Sequence, residues 1–200
     1  MKLLLIRHGE SEADILRVHE GRADFSLTER GQRQAQAMAA YIAKNYQIDR
    51  IYTSTLQRAA QTAQVLSEAT GVPVQPESDL MEFNNGLLAG LSFEEADAKY
   101  PPVPDLPPDK SVYGMESKVE FYARAERIYH KILSDADEND MVAVVTHGGM
   151  INQLYHVFLN LPVADDLFFP TADAGIHEWI VTPNGRRVAR ANYNAHAISI

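Results

Sequence analysis

The chain has 200 residues, 46% hydrophobic and 22% charged, a balance that suits a soluble globular protein with a sizeable buried core. Its 18 Lys and Arg face 27 Asp and Glu, a formal net charge of −9, which argues against nonspecific binding to nucleic acid or to an anionic membrane surface. There is no cysteine, so disulfides, thiolate catalysis and cysteine-ligated metals are excluded.

Lys2 to Ile6 (KLLLI) has the unbroken apolar run of a strand buried on both faces. That run is too short for the core of an export signal, and no later stretch approaches the roughly 20 apolar residues of a membrane span. A cytoplasmic location is the expectation. Thr28 caps a predicted helix running to about Asn45, with Ala35, Met38 and Ile42 on one side. Arg50 to Thr53 is a short strand. Ser54 with Gln57 fits a capping box, so the next helix should begin at Thr55 and run to Thr70, with Gly71 as its stop.

Val72 to Gln75, bounded by Pro73 and Pro76, reads as an edge strand. Ser92 to Tyr100 reads as a short helix, Pro101 to Pro108 (PPVPDLPP) as an extended surface loop, and Glu116 to about Asp135 as a long helix. Met141 to Val145 (MVAVV) is a second fully buried strand and Gly149 to Asn160 a helix. Gly175 to Thr182 and Arg187 to Tyr193 pair as a hairpin around Asn184-Gly185. Alternating strands and helices imply an α/β layer fold with a largely parallel sheet, organised as one domain over residues 1–200.

Both buried strands end alike. LLLI runs into Arg7-His8-Gly9, and VAVV into Thr146-His147-Gly148-Gly149. Ligands of open α/β sheets bind outside the carboxyl ends of the strands, so neighbouring parallel strands here would bring His8 and His147 together. The glycines would let backbone N–H groups approach a ligand. Arg58 falls in the first turn of its helix, where a cation opposes the macrodipole, and only Asp49 supplies an acid in the preceding stretch. An anion resting on that helix end and on Arg58 would resolve the conflict. Arg7 and Arg58 offer planar forks for phosphate oxygens, His147 a further donor, and His8 a ring nitrogen able to attack phosphorus. Glu82, flanked by Leu80, Met81 and Phe83, is the candidate proton donor, with an expected raised pKa.

In chain order these residues resemble the histidine phosphatase superfamily, also called the phosphoglycerate-mutase-like family. The match runs from Arg7-His8-Gly9-Glu10-Ser11 through Gly21, then Asp24, Leu27-Thr28 and Gly31. It continues with Ser54, Leu56, Arg58-Ala59 and Gln61-Thr62-Ala63, then Glu82 with Gly86 and Gly90, and ends at Thr146-His147-Gly148-Gly149. The resemblance implies a three-layer α/β/α sandwich with a mostly parallel central sheet. It implies hydrolysis of phosphomonoesters of small metabolites through a phosphohistidine at His8, with Arg7, Arg58 and His147 holding the phosphoryl group. Glu82 would act first as acid and then as base for water. Ser11, Asp14, Gly21 and Gly148 would line the substrate, with no metal or organic cofactor and with a homodimer as one candidate assembly. Arg22, where many relatives carry an aromatic, is a candidate second anion contact or equally a solvated loop residue. Asp14 departs from the family, which often has Asn there. Beside a phosphate, that carboxylate must turn away, be protonated, or pair with a substrate cation or an arginine such as Arg17 or Arg22.

Three other readings remain at this level. A mutase would share the phosphohistidine but usually has an insertion after the Glu82 segment, and the short stretch between Gly90 and Tyr113 holds few cations beyond Lys99 and Lys110. A metal-dependent hydrolase could use His8, His147, Glu10 and Asp14, although no spaced ligand motif is present and two arginines would repel a cation. A noncatalytic phospho-ligand-binding protein on the same fold is the third.

Overall fold

The computed structural model describes residues 1–163 and 166–197. Alternation along the buried strands sets the layers. On β1 (Lys2–Arg7), Leu3 and Leu5 face one side of the sheet, Leu4 and Ile6 the other. On β4 (Met141–Thr146) Val142 and Val144 join the first set, Ala143 and Val145 the second. Two cores therefore form, one on each face, and each is closed by helices. The first takes Phe121, Ala125, Ile128 and Ile132 from α5 (Lys118–Asp135) and Ile151, Leu154 and Phe158 from α6 (Gly148–Leu159). The second takes Met38, Ala39 and Ile42 from α2 (Glu29–Asn45) and Ala59, Ala63 and Leu66 from α3 (Gln57–Thr70). Truncating a fully buried leucine such as Leu4 to alanine would cost about 2–5 kcal/mol.

The three-layer α/β/α arrangement is the one the sequence implies. Its six-stranded sheet also includes β2 (Arg50–Ser54), β3 (Val74–Glu77), β5 (Ile176–Thr182) and β6 (Gly185–Tyr193), in the order β3-β2-β4-β1-β5-β6. Strands β3, β2, β4 and β1 are parallel; β5 runs antiparallel to β1 and β6 antiparallel to β5. Two short helices, α1 (Glu12–Leu16) and α4 (Phe93–Lys99), lie in the connections, tied by a bridge between Val18 and Ser92.

Most predicted elements agree within a residue or two, and three differ for physical reasons. Strand β3 extends through Pro76, tolerated because β3 is the sheet edge. Helix α5 starts at Lys118, since Ser117 and Glu120 form its capping box. The Ser54/Gln57 box does not form. Ser54 ends β2, α3 begins at Gln57, and the Gln57 N–H is capped by Asp24 Oδ1 at 2.7 Å, an acid 33 positions upstream.

Candidate active site

Strands β1 and β4 pair in register, Arg7 opposite Thr146, so His8 and His147 leave the sheet side by side. Their rings lie 5.1 Å apart between centroids, edge to face at 62°, and both are buried. His8 Nδ1 donates to the Gly9 carbonyl at 2.7 Å, which leaves the Nε2 lone pair to receive the Arg58 Nε–H at 3.2 Å. His147 Nε2 lies 2.8 Å from the Ser54 hydroxyl at the end of β2, and its Nδ1 is buried with no partner. In the tautomer with the ring hydrogen on Nδ1, the Ser54 hydroxyl donates to His147 Nε2 while its oxygen accepts the Leu56 N–H. Burial drives both histidines well below the ordinary value of 6.5; Arg7 and Arg58 push His8 further, and His8 and the arginines do the same to His147. Both rings are neutral at pH 7.

Arg58, the second residue of α3, is 0% exposed. Its terminal nitrogens donate to the carbonyls of Ala23 (3.0 Å) and Gly21 (2.8 Å), and its Nε stands 3.1 Å from Glu20 Oε1. The helix start is therefore not left uncompensated. Asp24 sits on it and Glu20 beside the guanidinium, both brought back by the loop that follows α1, which no local rule reveals. Arg7 donates to the Thr171 carbonyl at 2.8 Å and lies 3.1 Å from Asp173 and 4.0 Å from Asp14. Its Nε is buried without a partner, next to Gly148 at the start of α6.

Glu82 stands at the same helix start. Oε1 accepts the Phe83 N–H at 2.7 Å and Oε2 the Gly149 N–H at 2.9 Å, so backbone donors, not the apolar neighbours of the sequence reading, are its immediate partners. A Cβ on residue 149 would press on the Glu82 carboxylate, so glycine there lets the carboxylate reach the Gly149 N–H. Arg124 fixes the segment from behind, donating to the carbonyls of Asp79, Met81 and Glu82 while paired with Glu116. Gly9 differs from its expected role too. Its N–H goes to Thr62 Oγ1 at 3.3 Å, and a Cβ there would strike the Gly31 carbonyl, so it serves close packing rather than ligand approach.

The remaining predicted residues divide. Asp14 caps α1, accepting from Ser11 N at 2.8 Å and Ser11 Oγ at 3.0 Å, and its arginine neighbour is Arg7 rather than Arg17 or Arg22. Gly21 adopts φ +47° and offers its carbonyl to Arg58. Gly148 opens α6 against Arg7. Arg22 turns to Glu116 at 3.7 Å, close to Arg124, and away from His8. Sequence reasoning missed Glu20 and Asp173, which reach the site on loops folded onto strand ends, and the Ser54–His147 contact, which follows from the pairing of β2 with β4. It also left His177 and His196 without partners. His177 Nδ1 accepts from Tyr155 Oη and Asn192 N, and its Nε2 meets Thr171 Oγ1 behind Arg7; His196 Nε2 donates to the Ala174 carbonyl.

Among the described residues no group of three or more His, Asp or Glu side chains is placed to hold a metal ion, and no helix is long and apolar enough to cross a membrane. The profile of the histidine phosphatase superfamily (branch 1) matches residues 3–194, and the chain belongs to that family. It is 32% identical over 165 residues to phosphoglycerate mutase-like protein 4 of Arabidopsis thaliana, covering 77% of this chain and 69% of that one. Phosphoserine phosphatase 1 of Hydrogenobacter thermophilus is 30% identical over 82% of this chain and 79% of its own. The mycobacterial glucosyl-3-phosphoglycerate phosphatase in complex with VO3 superposes with a TM-score of 0.83 at 29% identity, over 96% of this chain and 98% of that one. The chain is a hydrolase of the histidine phosphatase type.

Proposed function

We propose that His8 Nε2 is the nucleophile of a metal-independent phosphomonoesterase, working as a single cytoplasmic domain on small phosphorylated metabolites. The observation that carries this reading is a neutral, buried imidazole nitrogen flanked by two buried donors without partners, Arg7 Nε and His147 Nδ1. Buried polar groups are almost always satisfied, and here Arg7 Nε and His147 Nδ1 have no protein partner, which leaves them to meet phosphate oxygens. Arg58 Nε and the N-terminus of α6 complete the ring of donors.

In the first step the Nε2 lone pair forms an N–P bond as the P–O bond to the leaving alcohol breaks in line, and Glu82 in its acid form protonates the departing oxygen. In the second, the Glu82 carboxylate takes a proton from water, the water oxygen attacks phosphorus, and the N–P bond returns its electrons to His8. Arg7, Arg58 and His147 hold the equatorial oxygens throughout, donors already in place before charge develops. Hydrolysis suits the surroundings better than mutase chemistry. The connection that would cover a bisphosphate carries Glu94, Glu95 and Asp97 on α4 and an exposed proline-rich turn.

The test is trapping. Wild type incubated with a labelled phosphomonoester and quenched in alkali should carry one acid-labile phosphoryl group, and His8→Ala none. An undiminished adduct on His8→Ala would overturn the assignment. A panel including O-phosphoserine, sugar phosphates and phosphoglycerate esters, ranked by kcat/KM, then identifies the substrate.

A further inference from the structure

One carboxylate near His8 has no place in that mechanism. Glu20 Oε2 lies 3.8 Å from His8 Nε2, and Oε1 lies 3.1 Å from Arg58 Nε, so this side chain stands beside the proposed nucleophile and on the Arg58 donor that a phosphoryl group would use. We propose that the Glu20 carboxylate occupies the phosphoryl position of the free enzyme, and that a phosphate dianion binds only as Glu20 takes up one proton and gives up Arg58. The inference rests on the reading of this pocket as the phosphate site.

Two geometric facts carry it. The first is charge matching. Arg58 is already set against Glu20, and Arg7 against Asp173 and Asp14, before any substrate arrives. Two arginines set against three ionised carboxylates leave this cluster at −1, and a proton on one of them brings it to neutral before the dianion enters. The second is the position of Ser11. Its hydroxyl oxygen contacts both Glu20 Oε1 and Asp14 Oδ2, yet it has a single proton to share between two carboxylates. Protonated Glu20 would donate to Ser11 Oγ, and Ser11 would pass its own hydrogen to Asp14, satisfying all three oxygens. Every charged group facing Glu20 enters this account: His8 and Arg7 from the end of β1, Arg58 from α3 and Asp14 from α1. Burial and the Asp14 charge hold Glu20 above the ordinary carboxylate value, against the pull of Arg58 and the Ser11 hydroxyl.

The experiment compares wild type with Glu20→Gln, which keeps the shape and hydrogen-bond capacity but not the charge. The kcat/KM for p-nitrophenyl phosphate and the Ki of inorganic phosphate are measured from pH 5 to 9. Ionisation of the substrate and of the histidines affects both proteins alike and cancels in their ratio. The wild-type to Glu20→Gln ratio of kcat/KM should be flat in acid and fall by up to tenfold per pH unit on the alkaline side, with Glu20→Gln the faster enzyme at pH 8. Calorimetry of phosphate binding in buffers of different ionisation enthalpy should show wild type taking up about one more proton than Glu20→Gln. A ratio constant with pH together with equal proton uptake would overturn the proposal and leave the phosphatase reading intact. Absence of turnover in both proteins would instead strike that reading, while the calorimetry still decides the role of Glu20.

Discussion

Replacing Glu82 by Gln separates proton transfer from scaffolding, because the structure gives the carboxylate both tasks. Its two oxygens accept the N–H groups of Phe83 and Gly149. An amide can accept only one of these and must turn its own NH2 toward the other. Losing a hydrogen bond to a charged acceptor costs about 1.5–3 kcal/mol. At roughly 2–4 °C per kcal/mol for a chain of this size, Tm should fall by about 3–12 °C. That penalty is independent of substrate. The catalytic penalty is not, since general acids contribute typically 10²–10⁴-fold only where the leaving group needs a proton. For an alkyl phosphate kcat/KM should therefore fall by about 10²–10⁴, or some 3–5 kcal/mol of transition-state stabilisation. For p-nitrophenyl phosphate, whose phenolate leaves unaided, the loss should stay within about tenfold. The assay reports kcat/KM because this ratio covers the steps up to loss of the leaving group, whichever later step limits kcat. Equal losses on the two esters would refute the acid role and reduce Glu82 to a clamp on Phe83 and Gly149.

Because the proposed chemistry uses only side chains, phosphatase activity should survive exhaustive treatment with a chelator; its abolition, restored by a divalent metal, would favour a metal-dependent route. His177 is buried with Nδ1 accepting two hydrogen bonds, and burial lowers its pKa to about 4. A histidine depressed in the folded state adds stability above the unfolded value of about 6.5 and loses it as pH falls toward 4. Urea unfolding should thus show wild type losing about 2 kcal/mol more between pH 7 and pH 5 than His177→Gln, and parallel losses would contradict the burial argument. His8 and His147 act in the same direction, so acid should weaken the site and the fold together.

How much of this was legible in the sequence follows from the range of each interaction. The strands at Lys2 and Met141 announce themselves because residues buried on both faces must all be apolar, and their shared endings place His8 and His147 without knowledge of the turns. Register between β1 and β4 did the rest. Glu20 and Asp173 left no such trace, since each is an acid in a connection whose partner is dozens of residues away. The Ser54/Gln57 pattern misled for a related reason. A capping box is a local solution, and here a remote one, Asp24, supplied the helix N–H while Ser54 was taken by His147. The sequence marks Glu82 but not its partners, because the carboxylate meets backbone N–H groups, those of Phe83 next to it and of Gly149, rather than the apolar side chains beside it in the chain. Met81 and Phe83 flank it along the chain, whereas Gly149 reaches it from α6.

A protein of net charge −9 that binds phosphate must solve an electrostatic problem, and the sequence suggests a local excess of cations as the answer. The structure answers differently. Each arginine at the strand ends is held by carboxylates, Arg58 by Glu20 and Arg7 by Asp173 and Asp14, and these fix the guanidinium planes. What remains for an anion is a set of directed hydrogens: Arg7 Nε, His147 Nδ1, Arg58 Nε once Glu20 lets go, and the first turn of α6. Preorganised donors of this kind favour the charge distribution of a transferring phosphoryl group over anions in general. Selectivity for the reacting species thus comes from the same acidic residues that make the pocket inhospitable to an arbitrary polyanion.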